Sequence, residues 1–126
     1  MLKGLIVEMM AHPLIPFDQP FDLLILLILA HFLADYPLQG DKMAVEKCPG
    51  HDVTMDWRWW LAAHAATHGF FVALLTGIPL LGLAELAGHA LVDYGKCRLQ
   101  YSLFVDQLLH WLCKLLWVIC VVLLFD

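Results

Sequence analysis

Ionisable side chains recur at a spacing of four residues along this chain: His31 with Asp35, His64 with His68, Glu85 with His89 and then Asp93, and Asp106 with His110. Residues four apart share one face of an α-helix, so each set projects a polar stripe from a single helical segment. Imidazole nitrogen and carboxylate oxygen, with no cysteine beside them, form a donor set suited to zinc, iron or manganese rather than to a Cys-rich structural zinc. Nine candidates exceed one tetrahedral shell. Either two ions are held, or some members orient the imidazoles of the others, as ligating histidines usually require.

The expected metal ligands are therefore His31, Asp35, His64, His68, His89, Asp93, Asp106 and His110. They would hold one or two divalent transition-metal ions, with zinc first and iron or manganese behind it. Glu85 is the candidate catalytic base, though it can equally be a ligand or the ion-pair partner of Lys114. His64-Ala-Ala-Thr-His68 lacks the Glu next to the first His of zinc-protease helices. The spacing also departs from the Glu-x-x-His of ferritin-like di-iron bundles. A metal-free proton relay or buried polar network is the competing account of the same residues.

The elements that carry these residues are unusually apolar. Hydrophobic residues make up 62% of the 126, against roughly 45–50% in soluble domains. From Trp59 to Ala84 there are 26 consecutive residues without Asp, Glu, Lys or Arg, more than the ~20 needed to cross a bilayer. Apolar runs and breakers predict four helices, about Phe21 to Tyr36, Trp57 to Gly77, Ile78 to Arg98 and Ser102 to Phe125. The expected architecture is all-α, an integral membrane four-helix bundle over 21–126, with 1–20 as an interfacial or extramembrane segment. Pro20 can open the first helix, and Pro37 discourages helix at Tyr36, which puts Asp35 in the last turn.

The third and fourth helices turn back near Leu99 and Gln100. Counting from that turn makes Asp93 level with Asp106, His89 with His110, and Glu85 with Lys114. Asp35 and His64 lie near the polar connection of 37–56, so all the sets fall in the same half of the bundle. Scattered core histidines would have no reason to share a depth, and ionisable groups inside membrane spans usually mark functional sites. Below Glu85 and Lys114 the second, third and fourth helices offer no further Asp, Glu, Lys, Arg or His, which counts against a path to the opposite face.

A net charge of −5 with only seven Lys plus Arg provides no basic stripe for nucleic acid. The bilayer is the expected partner, and assembly into a homo-oligomer stays open. Lys42, Lys47 and Arg58 flank the first connection and Lys96 and Arg98 the third, so the positive-inside rule puts both connections in the cytoplasm and both termini outside a bacterial-type inner membrane. Cys48, Cys97, Cys113 and Cys120 form no CxxC pair, and no disulfide framework is expected. Cys48 with His51 could at most make a weak auxiliary site.

The residues His31-Phe-Leu-Ala-Asp35, Leu38-Gln39, Met43-Ala44 and Lys47, followed by His64, His68, His89, Asp93, Lys96 and Asp106-Gln107-Leu-Leu-His110, resemble a known family. It is the domain of unknown function 3307, small bacterial and phage membrane proteins, and the likeness runs from about Leu24 to Leu116. The resemblance implies a protein similar in style to membrane-bound metal-dependent hydrolases. In that reading Gln39, Lys42 and Lys47 would admit a lipid-linked or phosphorylated substrate. A metal or proton translocation module and a structural or accessory membrane subunit are the alternatives.

Overall fold

The computed structural model describes residues 19–125, which are helical with no strand among them. Four long helices occupy the expected places: α1 Pro20–Asp35, α3 Trp57–Thr76, α4 Pro79–Leu99 and α5 Leu103–Phe125. A short helix, α2 Asp41–Glu46, lies inside the first connection, where only a polar loop was expected. The 1–20 segment lies almost wholly outside the described residues.

Local chemistry sets the ends of each element. Proline opens α1 and α4, where its missing N–H costs nothing. Asp56 caps α3 by accepting the Arg58 backbone N–H at 2.9 Å, and Ser102 Oγ accepts that of Val105 at 3.2 Å at the start of α5. The α3–α4 connection is a tight turn on Gly77, at φ 73°, where glycine escapes the Cβ clash. Thr76 Oγ1 donates to Val72 O at 2.7 Å and accepts from Ile78 N at 3.2 Å, closing that apolar turn.

Burial is not confined to apolar side chains. Among the most enclosed side chains are Lys114, Glu85 and the five helix histidines, each at 1 or 2% exposure. Leu29, Phe70, Leu80, Leu83, Leu91, Phe104 and Leu123 stand more than half exposed. The interior has two parts. Toward the α1–α2 and α4–α5 connections it is polar, and toward the α3–α4 turn it closes in an apolar cluster of Leu23, Leu27, Val72, Leu75, Ile78, Leu81, Val118 and Val121.

By length and composition one helix among the described residues could cross a membrane, at Leu103–Leu124. With 16 residues, α1 reaches only ~24 Å at 1.5 Å per residue. In α3 and α4 the length is present, but the inward histidines and charged residues lower the apolarity.

One expectation is corrected. Cys48 and Cys97 form a disulfide, with Cα atoms 5.5 Å apart and a sequence separation of 49. No short motif announces it, because the pairing arises only when α2 and the turn after it fold back over the end of α4. Cys113 and Cys120 are free thiols within α5.

Candidate metal centre

Each long helix aims its polar stripe at one point. Asp35, the last residue of α1, is 8% exposed rather than solvated, and it is the centre of the cluster. Its Oδ1 lies 3.2 Å from His64 Nε2, 3.2 Å from His68 Nε2 and 3.9 Å from His89 Nε2, while the Nε2 atoms of His64 and His89 are 3.1 Å apart. A tetrahedral ion with ligand bonds of ~2.0–2.1 Å would hold its donors about 3.3 Å from one another. The observed separations bracket that edge length. His68 Nε2 makes no hydrogen bond despite its closeness to Asp35, leaving a buried nitrogen aimed into the cluster. These four donors, all within 4.8 Å of one another, fit a single zinc-like ion.

A second set adjoins the first. His89, Asp93 and His110 also bring ligand atoms within 4.8 Å of one another, with His110 Nε2 3.1 Å from Asp93 Oδ1 and 3.5 Å from Asp106 Oδ1. His89 Nε2 can serve only one ion. A second ion would therefore rely on Asp93, His110 and Asp106, whose Oδ1 is buried without a hydrogen bond.

The other expected site residues surround these donors. Gln107 Nε2 donates to Asp35 Oδ2 at 2.9 Å and to Asp106 Oδ2 at 3.2 Å. Two carboxylates on one side fix which way the amide points, since its oxygen could not face them. Gln107 Oε1 therefore accepts from His31 Nε2 at 3.0 Å. With Asp35 Oδ2 also 3.4 Å from that nitrogen, His31 Nε2 carries a proton and acts as a donor. His31 thus braces Asp35 and Gln107, and its Nε2 is not free to ligate.

Glu85 sits behind His89, with Oε1 3.4 Å from His89 Nδ1. Its carboxylate also accepts from Lys114 Nζ and, at 2.5 Å, from Trp117 Nε1. The depth count paired Glu85 with Lys114 correctly. Gln107 and Trp117 were assigned no role from sequence; its place between Asp106 and His110 was the available signal for Gln107.

A cavity of about 470 Å³ opens between the two connections and reaches Asp35, Asp93 and Asp106 at its floor. Lys47 closes part of it, donating to Asp93 Oδ2 at 2.5 Å and Gln39 Oε1 at 2.6 Å. Gln39 Nε2 in turn donates to the Asp35 carbonyl at 2.8 Å. Lys96 lies 3.2 Å from Asp106 Oδ2 on the same wall, and His51 lines the mouth close to the disulfide.

Outside the helical cluster, Glu46 organises the connection. Its Oε2 accepts from Val53 N, Thr54 N, Thr54 Oγ1 and Trp60 Nε1 at 2.8–3.1 Å. Burial alone would raise this carboxyl, but the hydrogen bonds from Thr54, Val53 and Trp60 outweigh it and hold the group down at about 2. A depressed carboxyl stabilises the fold above its ordinary value of 4.5 and loses that contribution as pH falls toward about 2. Acidification through this window is expected to loosen the connection, seen as faster proteolysis near Thr54. Glu46→Gln should show the same cleavage already at neutral pH. Equal cleavage rates in wild type and variant at pH 7 would remove Glu46 as the organiser.

Fold and site together define an all-helical protein with a buried histidine–carboxylate centre under a cavity lined by three carboxylates and two lysines. The chain belongs to the family described as Protein of unknown function (DUF3307), whose model matches residues 23–125. No curated protein and no solved structure matches it.

Proposed function

We propose that this is a membrane-embedded metal-dependent hydrolase whose centre is reached through the cavity between the two polar connections. The membrane part of the reading rests on burial: charged and imidazole groups fill the half of the interior toward the polar connections, while large apolar side chains stand exposed on every long helix, Trp59 and Phe70 on α3 among them. Such a surface is costly in water and favourable against lipid. The single observation carrying the metal part is the separation of the Asp35, His64, His68 and His89 donors, close to the edge of a zinc tetrahedron.

A divalent transition ion at that position would supply Lewis acidity and a bound water of lowered pKa. His64, His68 and His89 form the closed base, matching the three-histidine pattern of catalytic zinc. Asp35 is the only one of the four that lines the cavity, so it serves either as fourth ligand or as acceptor of a proton from water. Glu85 orients His89 from behind, as the outer carboxylate partners of ligating histidines do. Lys47 and Lys96 at the cavity wall suit a phosphorylated or otherwise anionic headgroup. Translocation is less well supported, because the apolar cluster below Glu85 and Lys114 offers an ion no polar step.

Elemental analysis of protein purified without chelator tests the reading. The wild type should carry near-stoichiometric transition metal, and His89→Ala, which removes one of the four donors of the first set, should lose the ion held there. Metal-free wild type would overturn the metal centre and leave a buried hydrogen-bond network. With metal present, Asp35→Asn is expected to lower hydrolysis of phosphate-ester headgroup analogues by about 10²-fold or more, the scale of a lost general base.

A further inference from the structure

The Cys48–Cys97 bridge spans the rim of the cavity, joining the turn after α2 to the last turn of α4, and both residues line the cavity. Disulfides form and persist in oxidising compartments and are kept reduced in the cytosol. We propose that the cavity mouth faces the oxidising, extracytoplasmic side of the membrane, so that the site draws its substrate from that side and the ends of the bundle at Pro20 and Phe125 face the cytoplasm.

This orientation is opposite to the one that the positive-inside rule suggests from the connections. Part of that charge is committed to the interior. Lys47 lies 2.5 Å from Asp93 and Lys96 3.2 Å from Asp106, both neutralising buried carboxylates. Lysines required inside the site sit at its rim whichever way the bundle faces. The bridge, in contrast, has a chemical requirement. Its two thiols become a disulfide by exchange with a disulfide-carrying oxidant of the compartment, which takes up both protons and both electrons and is left as a dithiol.

The inference rests on the membrane reading but not on the metal, and its test keeps them apart. Wild-type protein in bacterial spheroplasts is treated with a membrane-impermeant maleimide, with or without prior reduction by a membrane-impermeant phosphine. Labelled cysteines are then located by mass spectrometry. The expected result is no labelling of Cys48 or Cys97 without reductant, and labelling of both after reduction in intact spheroplasts. Labelling of either without reductant overturns the proposal. So does labelling that appears only after permeabilisation, with the protein in the membrane fraction. Recovery of the protein in the soluble fraction would overturn the membrane reading itself, and this inference with it.

Discussion

Glu85→Gln is expected to destabilise the protein by about 3–5 kcal/mol, the cost of leaving one member of a buried ion pair without its partner. Both side chains are 1% exposed, and Lys114 has no other carboxylate within ion-pair reach among the described residues. The double change Glu85→Gln with Lys114→Met removes the stranded charge and should recover most of the lost thermal stability. Metal affinity should behave differently. Because Glu85 also lies 3.4 Å from His89 Nδ1, the double variant should bind metal about 10–100-fold more weakly, the scale of a lost outer partner. A double variant as unstable as Glu85→Gln alone would rule out the ion pair as the main role of Glu85. Full affinity in a restored double variant would rule out the orienting role.

That pair also shows what sequence could and could not yield. Counting residues away from the Leu99–Gln100 turn sets Glu85 against Lys114 because two antiparallel helices advance by the same 1.5 Å per residue. The rings of His89 and His110, level in the same count, have centroids 4.1 Å apart. Helix bounds were legible for a similar reason. Pro20, Gly77 and Pro79 are local punctuation, and their effect does not depend on tertiary contacts.

Features that depend on how a long connection folds were not legible. Cys48 and Cys97 meet only through the return of 37–56 over the end of α4. Asp35 was expected among the ligands, but nothing in the sequence signals that Gln39, Lys47 and Gln107 would close over it. His31 shares the spacing of the other candidate ligands, so sequence placed it among them; only the amide of Gln107, fixed by two carboxylates, shows that its Nε2 is a donor. Periodicity reports which face a residue lies on, but not which ring nitrogen is committed.

The positions of the candidate metal donors depend on a close approach between α3 and α4, which predicts opposite outcomes for substitutions at the contact glycines and at Gly88. A Cβ on Gly82 would lie 2.6 Å from Gly69 O and 2.7 Å from Ala73 Cβ, and a Cβ on Gly69 would collide with Gly82 O. The obstructing atoms are backbone or Cβ, with no rotamer to yield, so the helices themselves must separate. Gly82→Ala and Gly69→Ala are each expected to cost about 1–3 kcal/mol, the range for overpacking, despite the better helix propensity of alanine. His68 adjoins Gly69, and His89 lies about two turns beyond Gly82 on the same helix, so the separation should also displace these candidate donors and weaken metal binding. Gly88 lies in the same helix with nothing within 4 Å of an added Cβ. There alanine should stabilise by about 0.5–1 kcal/mol through reduced freedom of the unfolded chain. Thermal denaturation of the purified variants, read with their metal content, separates the two effects. If Gly82→Ala melts with wild type while Gly88→Ala melts below it, α3 and α4 do not meet at these glycines, and the convergence of His64, His68 and His89 loses its structural support.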